Sequence, residues 1–187
     1  YARRYLRYRE AMRAVDPSIE TVLNGNDPQL LGLPPATANQ RSMVRSVQLT
    51  FSSPVTLAAD AVSLAVHNNP LVANPTLPGS IIVRNSSNGT SADSTWVITF
   101  AGANVVGGSI GDGEYDLLVD RLKITDALGQ HPATAPAPIT FYRLLGDADG
   151  NRTVNNLDIV NVRKEFGKTQ AAPSYLWLFD TDWNGSI

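Results

Sequence analysis

Apolar and polar residues exchange places at every step through several stretches of this chain, and that period of two restricts the fold more than any other feature. Val47, Leu49 and Phe51 alternate with Ser46, Gln48 and Thr50, and Val62, Leu64 and Val66 alternate with Ala61, Ser63 and Ala65. Successive side chains of an extended strand point to opposite faces, so this spacing reads as half-buried strands. Ile81-Ile82-Val83, the alternating Trp96, Ile98 and Phe100, and Tyr115, Leu117 and Val119 continue the series. Asn/Gly/Ser clusters between them, at 85–90 and 107–113, supply the turns. Short strands at this spacing predict a mainly β fold, an antiparallel β-sandwich over residues 18–143.

Two segments fall outside that pattern. At the start, Tyr1, Tyr5, Tyr8, Met12 and Val15 recur at steps of three and four, which predicts a helix over 1–17 ended by Asp16-Pro17. Its arginines, Arg3, Arg4, Arg7, Arg9 and Arg13, suit either a solvated face or an acidic partner or membrane surface. A proline-rich stretch, Pro132 to Pro138, precedes the acidic end of the chain and reads as a linker or an edge strand.

From Asp147 the chain carries a twelve-residue frame with oxygen donors at the alternate positions: Asp147 at one, Asp149 at three, Asn151 at five, Thr153 at seven, Asn155 at nine and Asp158 at twelve. A hard divalent cation wants six to eight oxygens, and a tightly coiled loop aims alternate side chains inward while position seven offers its carbonyl. The cofactor expected is calcium (Ca2+). The plainer alternative is a polar surface turn in which Asx side chains bond the backbone. Position six calls for a left-handed residue, normally glycine, but holds Arg152, at a cost of about 1–2 kcal/mol. Gly150 is the candidate for relieving that turn.

A second frame begins at Asp180, with Asp182, Asn184, Gly185, Ser186 and Ile187 at positions three, five, six, seven and eight. Positions nine to twelve lie beyond Ile187. Val154 and Ile187, both apolar at position eight, are expected to pair, and a helix from about Leu157 is expected to bury Leu157, Val162 and Phe166.

The two frames, with a helix Asp158 to Phe166 between them, resemble a type I dockerin whose second half is cut off. The run Gly113-Glu114-Tyr115-Asp116-Leu117-Leu118-Val119 followed by Ile124-Thr125-Asp126-Ala127-Leu128-Gly129 resembles the closing strands of bacterial immunoglobulin-like domains. With Gln40 to Val44 leading in and Phe141 to Asp147 leading out, the whole is similar to the tails of large extracellular planctomycete-type proteins. The resemblance implies a small α dockerin/EF-hand-like module over 144–187, truncated in its second repeat, behind an Ig-like sandwich. It implies an extracellular or cell-surface location and a cohesin-like or cell-surface partner. In dockerins such a partner is met from loop positions ten and eleven and from the following helix, which here means Asn156, Leu157, Arg163 and Lys164. For Leu157 the other reading is a core residue, and for Arg163 and Lys164 a solvated face.

Enzyme readings find less support. Gly107-Gly108-Ser109-Ile110-Gly111 matches the Gly-x-Ser-x-Gly pattern, but a nucleophile elbow needs a strand before it and a helix after it, and here an alternating strand follows. Glu114 and Asp116 share a strand face and mimic a glycosidase pair, although such carboxylates are ordinarily solvated. Tyr175, Trp177 and Phe179 alternate and suit either sugar stacking or a small core beside the loop. With no cysteine among 187 residues, disulfides and thiol catalysis are excluded, and a net charge of -2 gives no pull toward nucleic acid. No apolar run reaches the roughly 20 residues of a membrane span. Because Tyr1 is not a methionine and Ile187 falls inside a frame, the chain is expected to be a piece of a longer protein. The function expected is a non-catalytic extracellular tail that tethers or contacts a protein; the alternative is an accessory region of a secreted polysaccharide-degrading hydrolase with its catalytic domain upstream.

Overall fold

The computed structural model describes residues 22–24, 41–68, 72–182 and 184–187, so the helix expected over 1–17 lies outside the described residues. The alternating stretches form antiparallel strands. Strands β1 (Val22–Asn24), β2 (Ser46–Leu57), β4 (Ser80–Asn85) and β5 (Asp93–Ala101) make one sheet in the order β1-β2-β5-β4. The short β9 (Ile124–Thr125) joins it along the far end of β2. A second sheet runs β10-β8-β3, from β3 (Val62–Val66), β8 (Gly113–Val119) and β10 (Ile139–Arg143). A small hairpin pairs β6 (Val105–Val106) with β7 (Ser109–Ile110).

The two sheets share one core. Val47, Leu49 and Phe51 of β2, Trp96, Ile98 and Phe100 of β5, and Val83 of β4 pack in one cluster with Tyr115, Leu117 and Val119 of β8 and Phe141 of β10. Phe141 crosses between layers, its ring centroid 6.4 Å from Phe100 and 5.7 Å from Tyr115. Each large side chain buried here contributes on the order of 1.5–3 kcal/mol, and there are enough of them to hold the sheets together without disulfides. Strand β2 is interrupted where Pro54, which has no N–H to give, falls in its middle: the register to β5 jumps between Thr50 and Val55. The Trp96 indole N–H lies 3.2 Å from Val55 O and 3.1 Å from Asp93 O and fastens that irregularity to the core.

The proline-rich stretch is neither a linker nor an edge strand. It is a loop that delivers the chain into β10, which pairs with β8 through Ile139–Leu117 to Arg143–Gly113, so the last strand comes after it. Among the described residues one α-helix is present, α1 (Asn156–Glu165), together with 3-10 turns at Arg121–Lys123 and Trp177–Phe179. None of the described helices is long and apolar enough to cross a membrane.

Candidate metal centre

The acidic loop grows directly out of β10. On the outer face of the second sheet, Tyr142 of β10 stands opposite Glu114 of β8. The chain then turns through 144–146, held by Arg41 and Asp112: Leu144 N–H donates to Arg41 O at 3.0 Å, Leu145 N–H to Asp112 Oδ1 at 2.8 Å, and Arg41 N–H to Asp147 O at 2.9 Å. Main-chain bonds therefore run straight across the junction between sheet and loop.

Asp147 is 0% exposed and organises the coil. Its Oδ1 accepts the N–H groups of Gly150 at 2.7 Å and Asn151 at 3.1 Å, and its Oδ2 accepts that of Arg152 at 3.0 Å. The Tyr142 hydroxyl lies 3.0 Å from the same Oδ2 and 2.8 Å from Gly150 O. Burial, and then the bond to Asp147, push the Tyr142 phenol up to about 12. Asp149 accepts the main-chain and side-chain N–H groups of Asn151, and Asn151 Oδ1 accepts Thr153 N–H at 2.8 Å.

The far end of the frame is a helix cap. Asn155 Oδ1 accepts Leu157 N–H at 2.8 Å, while Asp158, 1% exposed, accepts Asn155 N–H at 2.9 Å and Ala148 N–H at 2.9 Å. That is a capping box, typically worth about 1 kcal/mol, and here it also draws position twelve back over position two. The result is that Asp147, Asp149 and Asp158 offer carboxylate oxygens within 4.8 Å of one another, an arrangement able to hold a metal ion.

Position six is left-handed as the frame requires, with Arg152 at φ 69° and Gly150 at φ 77°. The arginine has a counterweight that sequence did not disclose. Its guanidinium lies 2.9 Å from Glu114 Oε1 and 4.7 Å over the Tyr142 ring, so the strained residue straddles the register pair beneath it. Glu114 is buried and ion-paired with Arg152, and Asp116 bonds His67 at 2.9 Å and Thr140 at 2.6 Å. These two carboxylates, expected to be solvated, are engaged.

The second frame repeats the first nearly atom for atom. Asp180 Oδ1 accepts Asn184 N–H at 3.1 Å, its Oδ2 accepts Gly185 N–H at 2.9 Å and the Tyr175 hydroxyl, and Asp182 accepts both N–H groups of Asn184. Burial pushes the Asp180 carboxyl up, but the bonds from Tyr175 and the loop N–H groups outweigh it and hold it below the usual range. Asn184 Oδ1 accepts Ser186 N–H at 2.9 Å. Gly185 has φ 84°, the glycine counterpart of Arg152. Tyr142 and Tyr175 each stand five residues ahead of their aspartate; sequence reasoning missed them as loop residues, though extending the two frames backward would have aligned them.

Two expectations fail here. Val154 does not pair with Ile187: it is exposed and leans over Gly146, while Ile187 N–H donates to Lys168 O at 3.0 Å and Ile187 O accepts Gly167 N–H at 2.7 Å. The position-eight residue instead zips to the segment leaving α1, where Thr169 and Ser186 form a bridge. Nor does α1 bury Leu157 and Phe166, which are 65% and 66% exposed. The buried side chains of α1 are Asp158 and Glu165, because the helix turns its polar cap and one glutamate inward. Asn156, Leu157, Arg163 and Lys164 all lie at the surface, seven apart in two pairs and hence on one broad face, beside the exposed Ile159 and Val160.

A small second core ties the loops together. Tyr175, Trp177 and Leu178 pack with Ala148 of the first frame and Met43 ahead of β2, which answers the choice between sugar stacking and core for Tyr175 and Trp177. Arg45, just ahead of β2, reaches in, its guanidinium 5.7 Å over Trp177 and its Nη2 donating to Asp180 O at 3.3 Å. Burial lowers the Arg45 guanidinium to about 10. The Gly107–Gly108 turn closes on the same loop: a Cβ on Gly107, at φ 55°, would meet Thr181 O at 2.5 Å. The Ser109 hydroxyl beside it is buried, donating to Ile110 O and accepting Val44 N–H. Compared with known proteins, the chain matches no family model, no curated protein and no solved structure.

Proposed function

We propose that residues 144–187 are a calcium-binding, dockerin-like module carried on an immunoglobulin-like sandwich, and that the chain serves as a non-catalytic extracellular tail that contacts another protein. The observation that carries this reading is the convergence of Asp147, Asp149 and Asp158. Gathering three like charges, two of them out of water, is costly even where loop N–H groups bond them, and a cation would offset that cost. The donor set is all oxygen: three carboxylates, the Asn151 amide and the Thr153 carbonyl, with Asn155 engaged as a helix cap and so acting through water. Such a set suits a hard cation. Calcium, with its flexible seven- or eight-fold preference, fits a coiled loop better than magnesium, which demands a compact octahedron.

The two antiparallel sheets around one core support the immunoglobulin-like reading. The exposed face of α1, with Leu157 and Val160 beside Arg163 and Lys164, supports a docking role, since apolar side chains at this exposure on one helix face commonly mark a contact surface. Bound calcium would add folding free energy, because the unfolded chain has no preformed site. Isothermal titration with calcium, repeated after chelation and with Asp147→Ala, tests the proposal. Saturable binding that raises the melting temperature and disappears in the variant is expected; a melting temperature indifferent to calcium and chelator would overturn it.

A further inference from the structure

Ahead of β2 the chain runs through consecutive buried residues, Ser42, Met43, Val44 and Arg45. Connecting segments normally lie at the surface, because buried backbone polar groups must all be matched, so a buried one is defined by what it holds. On one side this segment grips the sandwich. Val44 packs in the first core, its N–H donates to Ser109 Oγ at 3.0 Å, and its carbonyl accepts Ile110 N–H at 3.0 Å. On the other side it grips both acidic loops. Arg41 N–H donates to Asp147 O at 2.9 Å, and Ser42 Oγ accepts Gly146 N–H at 3.0 Å. Met43 packs in the second core, and Arg45 donates to Asp180 O at 3.3 Å.

That grip falls on the residues an ion would fix. Asp147 gives its carboxylate to the cluster and its carbonyl to Arg41, so a single residue belongs to the site and to the junction. Ala148 is placed in the same way. Its N–H donates to Asp158 Oδ1 at 2.9 Å, while its side chain packs in the core that contains Met43. Drawing Asp147, Asp149 and Asp158 onto one ion therefore immobilises 147–148, and with them the groups that hold Arg41 and Met43. Without an ion, repulsion among the three carboxylates opposes the same closure. Coupling of this kind is reciprocal: whatever loosens the buried segment weakens the ion site by the same factor.

Resting on the calcium reading of the first loop, we infer that residues 41–45 form a strap whose hold between the sandwich and the acidic loops is tightened by the ion. Calcium affinity of the full chain, measured by competition with a chelator, tests it. Met43→Ala touches none of the loop oxygens, yet is expected to weaken calcium binding about fivefold, the low end of ordinary coupling between sites. Val55→Ala, in the sandwich core, is the comparison and should leave the affinity unchanged. Ser42→Ala serves where Met43→Ala fails to fold. In the parent chain, calcium should slow hydrogen exchange at the Arg41 and Val44 amides about tenfold relative to chelator. Unchanged affinity in the folded strap variant, an equal loss in Val55→Ala, or exchange indifferent to bound calcium would each overturn the inference alone. A parent chain that binds no calcium would overturn the metal reading and the strap together.

Discussion

The two acidic loops make the same turn with different residues. At position six the second uses Gly185 and the first uses Arg152, both left-handed, both sending their N–H to the leading aspartate. A glycine adopts that conformation freely, while an arginine gives up about 1–2 kcal/mol. The first loop recovers the difference by reaching outward, because Arg152 ion-pairs with Glu114 and covers Tyr142. The second loop is fastened from the other direction, by Arg45 over Trp177 and onto Asp180 O. Position six is therefore a backbone requirement, and the side chain there is free to become a tether when a carboxylate waits in the right strand.

The largest effect expected from breaking this parallel comes from the leading aspartates. Asp147→Ala strands three loop N–H groups and leaves the Tyr142 hydroxyl with Gly150 O alone, which should cost about 2–4 kcal/mol in chemical denaturation and abolish calcium stabilisation. Asp180→Ala should destabilise by a similar amount yet leave calcium binding at the first loop; equal loss of binding in both variants would break the distinction. Next is the exchange Arg152→Gly. It relieves the strained φ but leaves Glu114 buried without its cation, so a net loss of about 1–2 kcal/mol is expected, recovered in part by adding Glu114→Gln. Calcium affinity in Arg152→Gly should rise, since a neighbouring positive charge is removed.

Smaller again are Tyr142→Phe and Tyr175→Phe, each expected to lose about 1 kcal/mol as one buried hydrogen bond disappears. The smallest effect is in alkali. Both phenols are raised above their ordinary value, chiefly by burial, Tyr142 to about 12. A raised phenol adds stability that is complete below its ordinary value near 10 and is lost as pH climbs from there through the folded value. Ultraviolet difference titration should show three late-ionising tyrosines, buried Tyr115 of β8 beside the two loop phenols, one fewer in each Phe variant, and stability should begin to fall above about pH 10.

The strands were legible because burial on one face writes itself into every second residue: Trp96, Ile98 and Phe100 announce β5, and Tyr115, Leu117 and Val119 announce β8. The convergence at Asp147, Asp149 and Asp158 was legible for a related reason, since a short loop brings its own oxygen donors together and spacing alone encodes it. The proline-rich stretch misled because proline marks extended backbone without saying whether a strand follows, and β10 does follow. The helix misled too. Leu157 and Phe166 have the spacing of a buried face, but what they face depends on neighbours that no local period records.

What the amino-acid sequence determined by itself was therefore local: which stretches are extended, where the coil needs a left-handed residue, and which oxygens can gather in it. Only the tertiary structure decided the long-range partnerships. Glu114 lies 38 residues from Arg152, and Arg45 lies 135 from Asp180. Contacts at such separations arise from the pairing of β8 with β10 and from the path of the chain ahead of β2. The register between Tyr142 and Glu114 placed a buried carboxylate under Arg152, and that meeting is a property of two strands together that neither contains alone.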